Sequence, residues 1–128
     1  MAVTKSTIPA RLAETLIIDL TANSTPEDNV FTAVTLADKI YTVRLDNSNV
    51  VAASYLKGQF ATTYNVSNTQ VIRLYVPGNS IVEYVFPEGW PSGGFSTGFS
   101  FIGTSTSAST GAQSDPSGSL KVTLLAGT

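Results

Sequence analysis

The stretch Val71–Ile102, VIRLYVPGNSIVEYVFPEGWPSGGFSTGFSFI, decides how this chain folds. It holds the single Trp, Trp90, with four of the six Phe and two of the five Tyr. Ile72, Leu74 and Val76 alternate with Arg73 and Tyr75, and Val82, Tyr84 and Phe86 alternate with Ile81, Glu83 and Val85. Phe95, Thr97, Phe99 and Phe101 alternate in turn with Ser96, Gly98 and Ser100. A period of two is that of an extended strand with one buried face. Pro77-Gly78-Asn79 and Pro87–Gly94 interrupt the alternation, because Pro has no N–H for a ladder and Gly tolerates positive φ. The stretch predicts three strands joined by one tight turn and one longer loop that carries Trp90.

The same period recurs on both sides of it. Thr15–Thr21 (TLIIDLT) predicts a strand with Leu16, Ile18 and Leu20 inward, and Val30–Leu36 is a further candidate strand. Lys39–Asp46 (KIYTVRLD) predicts a strand with Tyr41, Val43 and Leu45 on one face. Val50–Phe60 predicts another, with Gly58 marking its end or a bulge. Asp46-Asn47-Ser48-Asn49 is turn chemistry, since Asp and Asn side chains bond the local backbone. Gly103–Ser119 is a long polar excursion, either an exposed tip or a segment ordered by a neighbour, and Leu120–Leu125 closes the fold. Residues 1–11 read as an N-terminal arm, disordered or docked on a partner, with a short helix over Pro9–Thr15 as the alternative. Seven or eight short strands with regular turn signals predict an all-β fold. It is read as a single antiparallel β-sandwich over residues 12–128, preceded by the 1–11 arm.

Composition bounds the chemistry. At 128 residues the chain is one domain, able to bury roughly two-thirds of its unfolded surface. It has neither His nor Cys, which excludes Ser–His and Cys–His nucleophilic catalysis, disulfides and thiolate metal sites. Seven Lys and Arg against nine Asp and Glu give a net charge of −2 and no basic stripe, so no nucleic-acid partner is expected. No apolar run reaches the length of a membrane span and the N-terminus shows no secretory h-region, so no membrane partner is expected. No cofactor and no metal is implied.

Three local patterns are weighed against ordinary structure. Glu83 and Glu88 beside aromatics are the residue types of glycoside hydrolysis. Glu83, however, would face Arg73 across a hairpin closed by Pro77-Gly78-Asn79, an ordinary cross-strand pair, and the chain is read as a non-enzyme. Asp46–Asn49 offers oxygen ligands but lacks the further acidic ligands and distal Glu of a calcium loop. Trp90, with Phe86, Pro87, Pro91 and Phe95, is either a sugar-stacking platform, a plug for one end of the sandwich or a subunit contact.

The order of the motifs carries a resemblance. Ser54-Tyr55-Leu56-Lys57 is followed by Leu74-Tyr75-Val76-Pro77-Gly78, by Phe86-Pro87-Glu88-Gly89, by Gly94-Phe95-Ser96-Thr97-Gly98-Phe99-Ser100 and by a closing Val122–Leu125. This succession resembles that of small all-β virion proteins of tailed bacteriophages, over Val30 to Leu125. It departs from their pattern at Lys57-Gly58-Gln59-Phe60 and in the presence of Trp90 with Pro91. The resemblance implies a structural role without catalytic residues, namely a capsid decoration (cement) protein. Such a protein sits on the outer surface of the phage head as a homo-oligomer and bridges subunits of the major capsid protein. The contact residues expected for it are Lys5 and Arg11 in the arm, and Trp90 and Phe95 in the aromatic loop. The alternative is a receptor- or glycan-binding domain of a tail or head fibre, with Trp90 as the stacking residue.

Overall fold

The computed structural model describes residues 15–27 and 39–127. The candidate strand at 30–36 and the arm with Lys5 and Arg11 lie outside the described residues. Seven strands form: β1 (Thr15–Ala22), β2 (Lys39–Asp46), β3 (Ser54–Gln59), β4 (Ile72–Val76), β5 (Ile81–Trp90), β6 (Ser100–Thr104) and β7 (Leu120–Gly127). They make two sheets, one four-stranded in the order β1-β7-β2-β5 and one three-stranded in the order β4-β3-β6. Every neighbouring pair is antiparallel. The fold is the expected all-β sandwich.

The alternating pattern explains the layers. Leu120, Val122, Leu124 and Ala126 of β7 and Val43 and Leu45 of β2 are buried. They face Leu56 of β3, Val76 of β4 and Phe101 of β6 in one core, and Val82, Tyr84 and Phe86 of β5 pack against it as their alternation predicts.

Five expectations are corrected. β1 faces the other way: Ile17 packs against the core, while Leu16, Ile18 and Leu20 are 59%, 56% and 63% exposed. The reason is register. Ile17 lies opposite Leu124, an inward residue of β7, and a shift of one position sends every side chain of a strand to the other face. Secondly, Pro77-Gly78-Asn79 does not close a hairpin but carries the chain from one sheet to the other, because β4 and β5 belong to different sheets. Arg73 therefore lies opposite Lys57, and Glu83 lies opposite Arg44. The crossover is tight at Gly78, where a Cβ would come 1.9 Å from the Val51 carbonyl oxygen.

Thirdly, β5 continues through Pro87 to Trp90 instead of breaking at Pro87. It is an edge strand whose pairing with β2 shifts register between Ile40 and Thr42, and an edge tolerates the missing N–H. Finally, β6 covers only Ser100–Thr104, so Phe95 and Phe99 enter the core from the preceding turns. The stretch after Val50 forms strand only from Ser54, and Gly58 lies within it as neither end nor bulge.

Candidate functional site

One end of the sandwich gathers the aromatic side chains. Trp90 ends β5 opposite Ile40, and its peptide bond to Pro91 is cis. Phe60, just past β3, stacks on the Trp90 ring at 5.3 Å and 22°. Phe95 and Phe99 meet the same ring edge-on, at 5.7 Å and 5.9 Å, and Phe99 continues the cluster to Phe101. Gly58 makes room for this arrangement, since a Cβ there would lie 2.4 Å from the Phe99 ring. Edge-to-face and offset pairs of this kind add to the stabilisation that their burial provides.

The sequence-predicted contact residues divide here. Phe95 is 2% exposed and supports the cluster from within. Trp90 is partly exposed, and Phe60, which sequence reasoning did not select, is 42% exposed and forms the outermost ring. Both strand ends that flank the undescribed segments emerge close by: Thr15 opposite Ala126, and Lys39 opposite Gly127. Glu27, where the described chain pauses, exchanges both backbone hydrogen bonds with Phe101. The arm, segment 28–38 and the aromatic loop thus start from one end.

The polar excursion forms a second feature. It folds back over the outer face of the three-stranded sheet and is held from below by Lys57. This lysine is fully buried, and its Nζ donates to the carbonyls of Thr106 (2.7 Å) and Ala108 and to Gln113 Oε1 (2.9 Å). Three acceptors match the three protons of an ammonium. Burial, and secondarily the Arg73 charge, push the Lys57 pKa below the ordinary lysine value. Arg73 donates to the Ser107 carbonyl at 2.8 Å, and Gly111 N donates to the Val66 carbonyl, tying the excursion to the 61–70 loop. That loop is gripped in turn by Gln59, whose amide donates to the Asn65 and Asn68 carbonyls and accepts from Asn65 N. Asp115 accepts from Ser24 N and Oγ, and these bonds lower its pKa. Lys57 closes the Ser54–Lys57 motif, but its solvent-side position in the strand pattern gave no sign that it is buried. The hint was indirect, a long polar segment poor in apolar anchors.

The opposite end is locked by Asn47, the second residue of the Asp46–Asn49 turn. It is fully buried, donates through Nδ2 to the Ala52 and Pro77 carbonyls at 3.0 Å each, and accepts from Ser54 Oγ. Asp46 accepts from Ser48 N and Oγ, which lowers its pKa, so the turn uses its oxygens on its own backbone and hydroxyl groups. Glu83 has Arg44 of β2 as its ladder partner, and Glu88 lies further along the same strand, β5. Among the described residues there is no pocket and no group of three side chains that could hold a metal ion.

The fold and these features define a small antiparallel β-sandwich whose distinctive parts are surfaces and pinned loops. Compared with known protein families, with curated proteins and with solved structures, the chain matches none.

Proposed function

We propose that the chain is a structural protein of a virion, a capsid decoration protein that binds the outside of an assembled phage head and bridges major capsid subunits. The observation that carries this reading is the convergence of the aromatic cluster with the chain ends that lead to residues 1–14 and 28–38. A domain that grips a lattice needs a rigid body with an association surface that can be covered without leaving polar groups unpaired, as a partly exposed aromatic cluster can. Many identical copies then multiply weak contacts, and binding only the assembled lattice stabilises that lattice by linkage.

The motifs that carry the resemblance support it at the level of the fold, because each has a structural duty. Lys57 pins the excursion, Gly78 permits the sheet crossover, and Phe95 and Phe99 build the aromatic end. The glycan-binding alternative is the weaker reading, because Phe60 already occupies a face of the Trp90 ring. Immunogold electron microscopy of intact particles tests the proposal. Label distributed over heads is the expected result; label confined to tail tips, or no label on particles, overturns it.

A further inference from the structure

Among the described strands, three ladder pairs carry a charge on both residues: Arg44 with Glu83, Asp46 with Lys121, and Lys57 with Arg73. The first two set opposite signs against each other. The third sets like against like, and like charges directly opposite destabilise a sheet. Neither of these cations has a carboxylate among its hydrogen-bond partners. Lys57 donates to two backbone carbonyls and to Gln113 Oε1, and Arg73 Nη1 donates to the Ser107 carbonyl at 2.8 Å. Two positive charges without a counter-charge thus sit together on a chain whose net charge is −2.

The neighbouring outward rung of the same ladder is Tyr55 opposite Tyr75. Leu56 and Leu74, between the two rungs, face the core, so Tyr55, Lys57, Arg73 and Tyr75 form one block on the outer face of the three-stranded sheet. Arg73 is exposed and Tyr75 is 46% exposed. Lys57 lies beneath them, with its Nζ 5.8 Å from the centre of the Tyr55 ring. The Tyr55 and Tyr75 hydroxyls have no hydrogen-bond partner among the described residues, nor do the remaining N–H groups of Arg73.

We infer that this block binds a carboxylate of a partner protein, an Asp or Glu side chain in an exposed acidic segment. Arg73 offers a planar fork that matches a carboxylate, the phenols offer further O–H donors, and the ammonium below adds an attractive charge. A bound carboxylate offsets the repulsion between Lys57 and Arg73, and sequences break their own pairing rules chiefly at functional positions. The observations favour a peptide over a sugar or a nucleic acid. The Tyr55 and Tyr75 rings lie 5.5 Å apart and tilted by 57°, so they make no flat platform for a sugar ring. A single pair of cations makes no stripe for a phosphate backbone. The inference does not rest on the capsid reading, since an acidic segment is recognised or not wherever the protein resides.

Titration of the isotopically labelled full chain with a capped oligoglutamate peptide, followed through amide NMR shifts, tests it. The expected result is saturable shifts centred on Tyr55, Arg73, Tyr75 and Ser107, with a Kd in the millimolar range that weakens as salt is added. Arg73→Gln keeps an amide donor for the Ser107 carbonyl and should raise Kd at least about fivefold with an unchanged melting curve. Tyr75→Phe should raise it about two- to threefold, and Arg44→Gln, on the other sheet, should leave it unchanged. A capped oligoglutamine peptide should not bind. Equal binding of the glutamine peptide overturns the inference, as does an affinity indifferent to Arg73→Gln or more sensitive to Arg44→Gln. Absence of shifts at ~10 mM peptide, the result expected if the chain's own carboxylates fill the block, overturns it too. Saturable binding of oligogalacturonate without binding of the peptide would make the ligand a glycan and overturn it equally.

Discussion

Replacing Lys57 by Met isolates what the buried ammonium does. Methionine keeps the aliphatic stem and its packing, so the change is confined to the Nζ group. Each hydrogen bond from a charged donor contributes about 1.5–3 kcal/mol net, against a desolvation cost of several kcal/mol for the ammonium. Buried ion pairs are often replaceable without loss when both partners become apolar. That route is closed here, because two of the three acceptors are the backbone carbonyls of Thr106 and Ala108. Methionine would leave the Thr106 carbonyl without a donor, at about 1–3 kcal/mol, and the Ala108 carbonyl with Gln113 Nε2 at 3.3 Å as its remaining donor. With the desolvation cost recovered in part, the expected loss is about 1–3 kcal/mol. The loss should be local first. Amides that depend on the folded-back excursion, such as Gly111 N on the Val66 carbonyl and Ser105 N on the Ser114 carbonyl, should exchange roughly 5- to 150-fold faster. The pH dependence has a definite sign. The folded pKa lies below the unfolded 10.5, so the folded chain gives up its proton first, and wild type should gain stability over the variant as pH rises toward 10.5. Denaturant titration with hydrogen exchange reads both effects. A loss below about 0.5 kcal/mol with unchanged loop amides would refute the argument.

Asn47→Ala should cost about 2–4 kcal/mol in urea unfolding, because the Ala52 and Pro77 carbonyls and the Ser54 hydroxyl lose their partner in a fully buried site; an unchanged midpoint would remove Asn47 as the lock. Gly78→Ala should cost about 3 kcal/mol or more, since the atom 1.9 Å from the new Cβ is a backbone oxygen that cannot swing aside; a variant as stable as wild type would contradict the crossover geometry. Asp46 and Asp115 both have pKa values lowered by hydrogen bonds, to Ser48 and Ser24 respectively. Their contribution is present above about pH 3.8 and is lost as pH falls through the lowered values. Asp115→Asn should therefore flatten the acid limb of the stability curve, and an acid limb identical to wild type would argue against the Ser24 clamp.

The sandwich was legible because most strands alternate cleanly. β2, β4, β5 and β7 bury the faces their patterns assign, with Val43 and Leu45, Val76, Val82 and Tyr84, and Val122 and Leu124 directed inward. What escaped was partnership. In TLIIDL the period gathers Leu16, Ile18 and Leu20 on one face and leaves Ile17 with Thr15 and Asp19 on the other, so period alone points to the face that the fold exposes. The choice belongs to the register against β7, which lies far away in the chain. Arg73 and Glu83 look like hairpin partners because nothing in Pro77-Gly78-Asn79 distinguishes a turn within a sheet from a crossing between sheets. Lys57 was illegible for a related reason. A lysine at a solvent-side position reads as exposed unless a distant segment returns to cover it, and the 104–115 segment that does so has no apolar residue larger than Ala to announce the contact. At the candidate site, Trp90 was visible from its rarity, whereas Phe60 became its stacking partner only once β3 and β5 were placed in facing sheets.

The two ends of the sandwich are built from different chemistry, and the difference bears on how the protein would be used. At the Asn47 end, directional hydrogen bonds to backbone carbonyls tie the 46–54 turn region to the crossover between β4 and β5, leaving few alternative arrangements. At the Trp90 end, contacts are between ring faces and edges, which tolerate sliding and exchange of partners better than hydrogen bonds do. Polar locks serve permanence, and a partly exposed aromatic cluster serves association, since its outer ring can be covered without leaving a polar group unpaired.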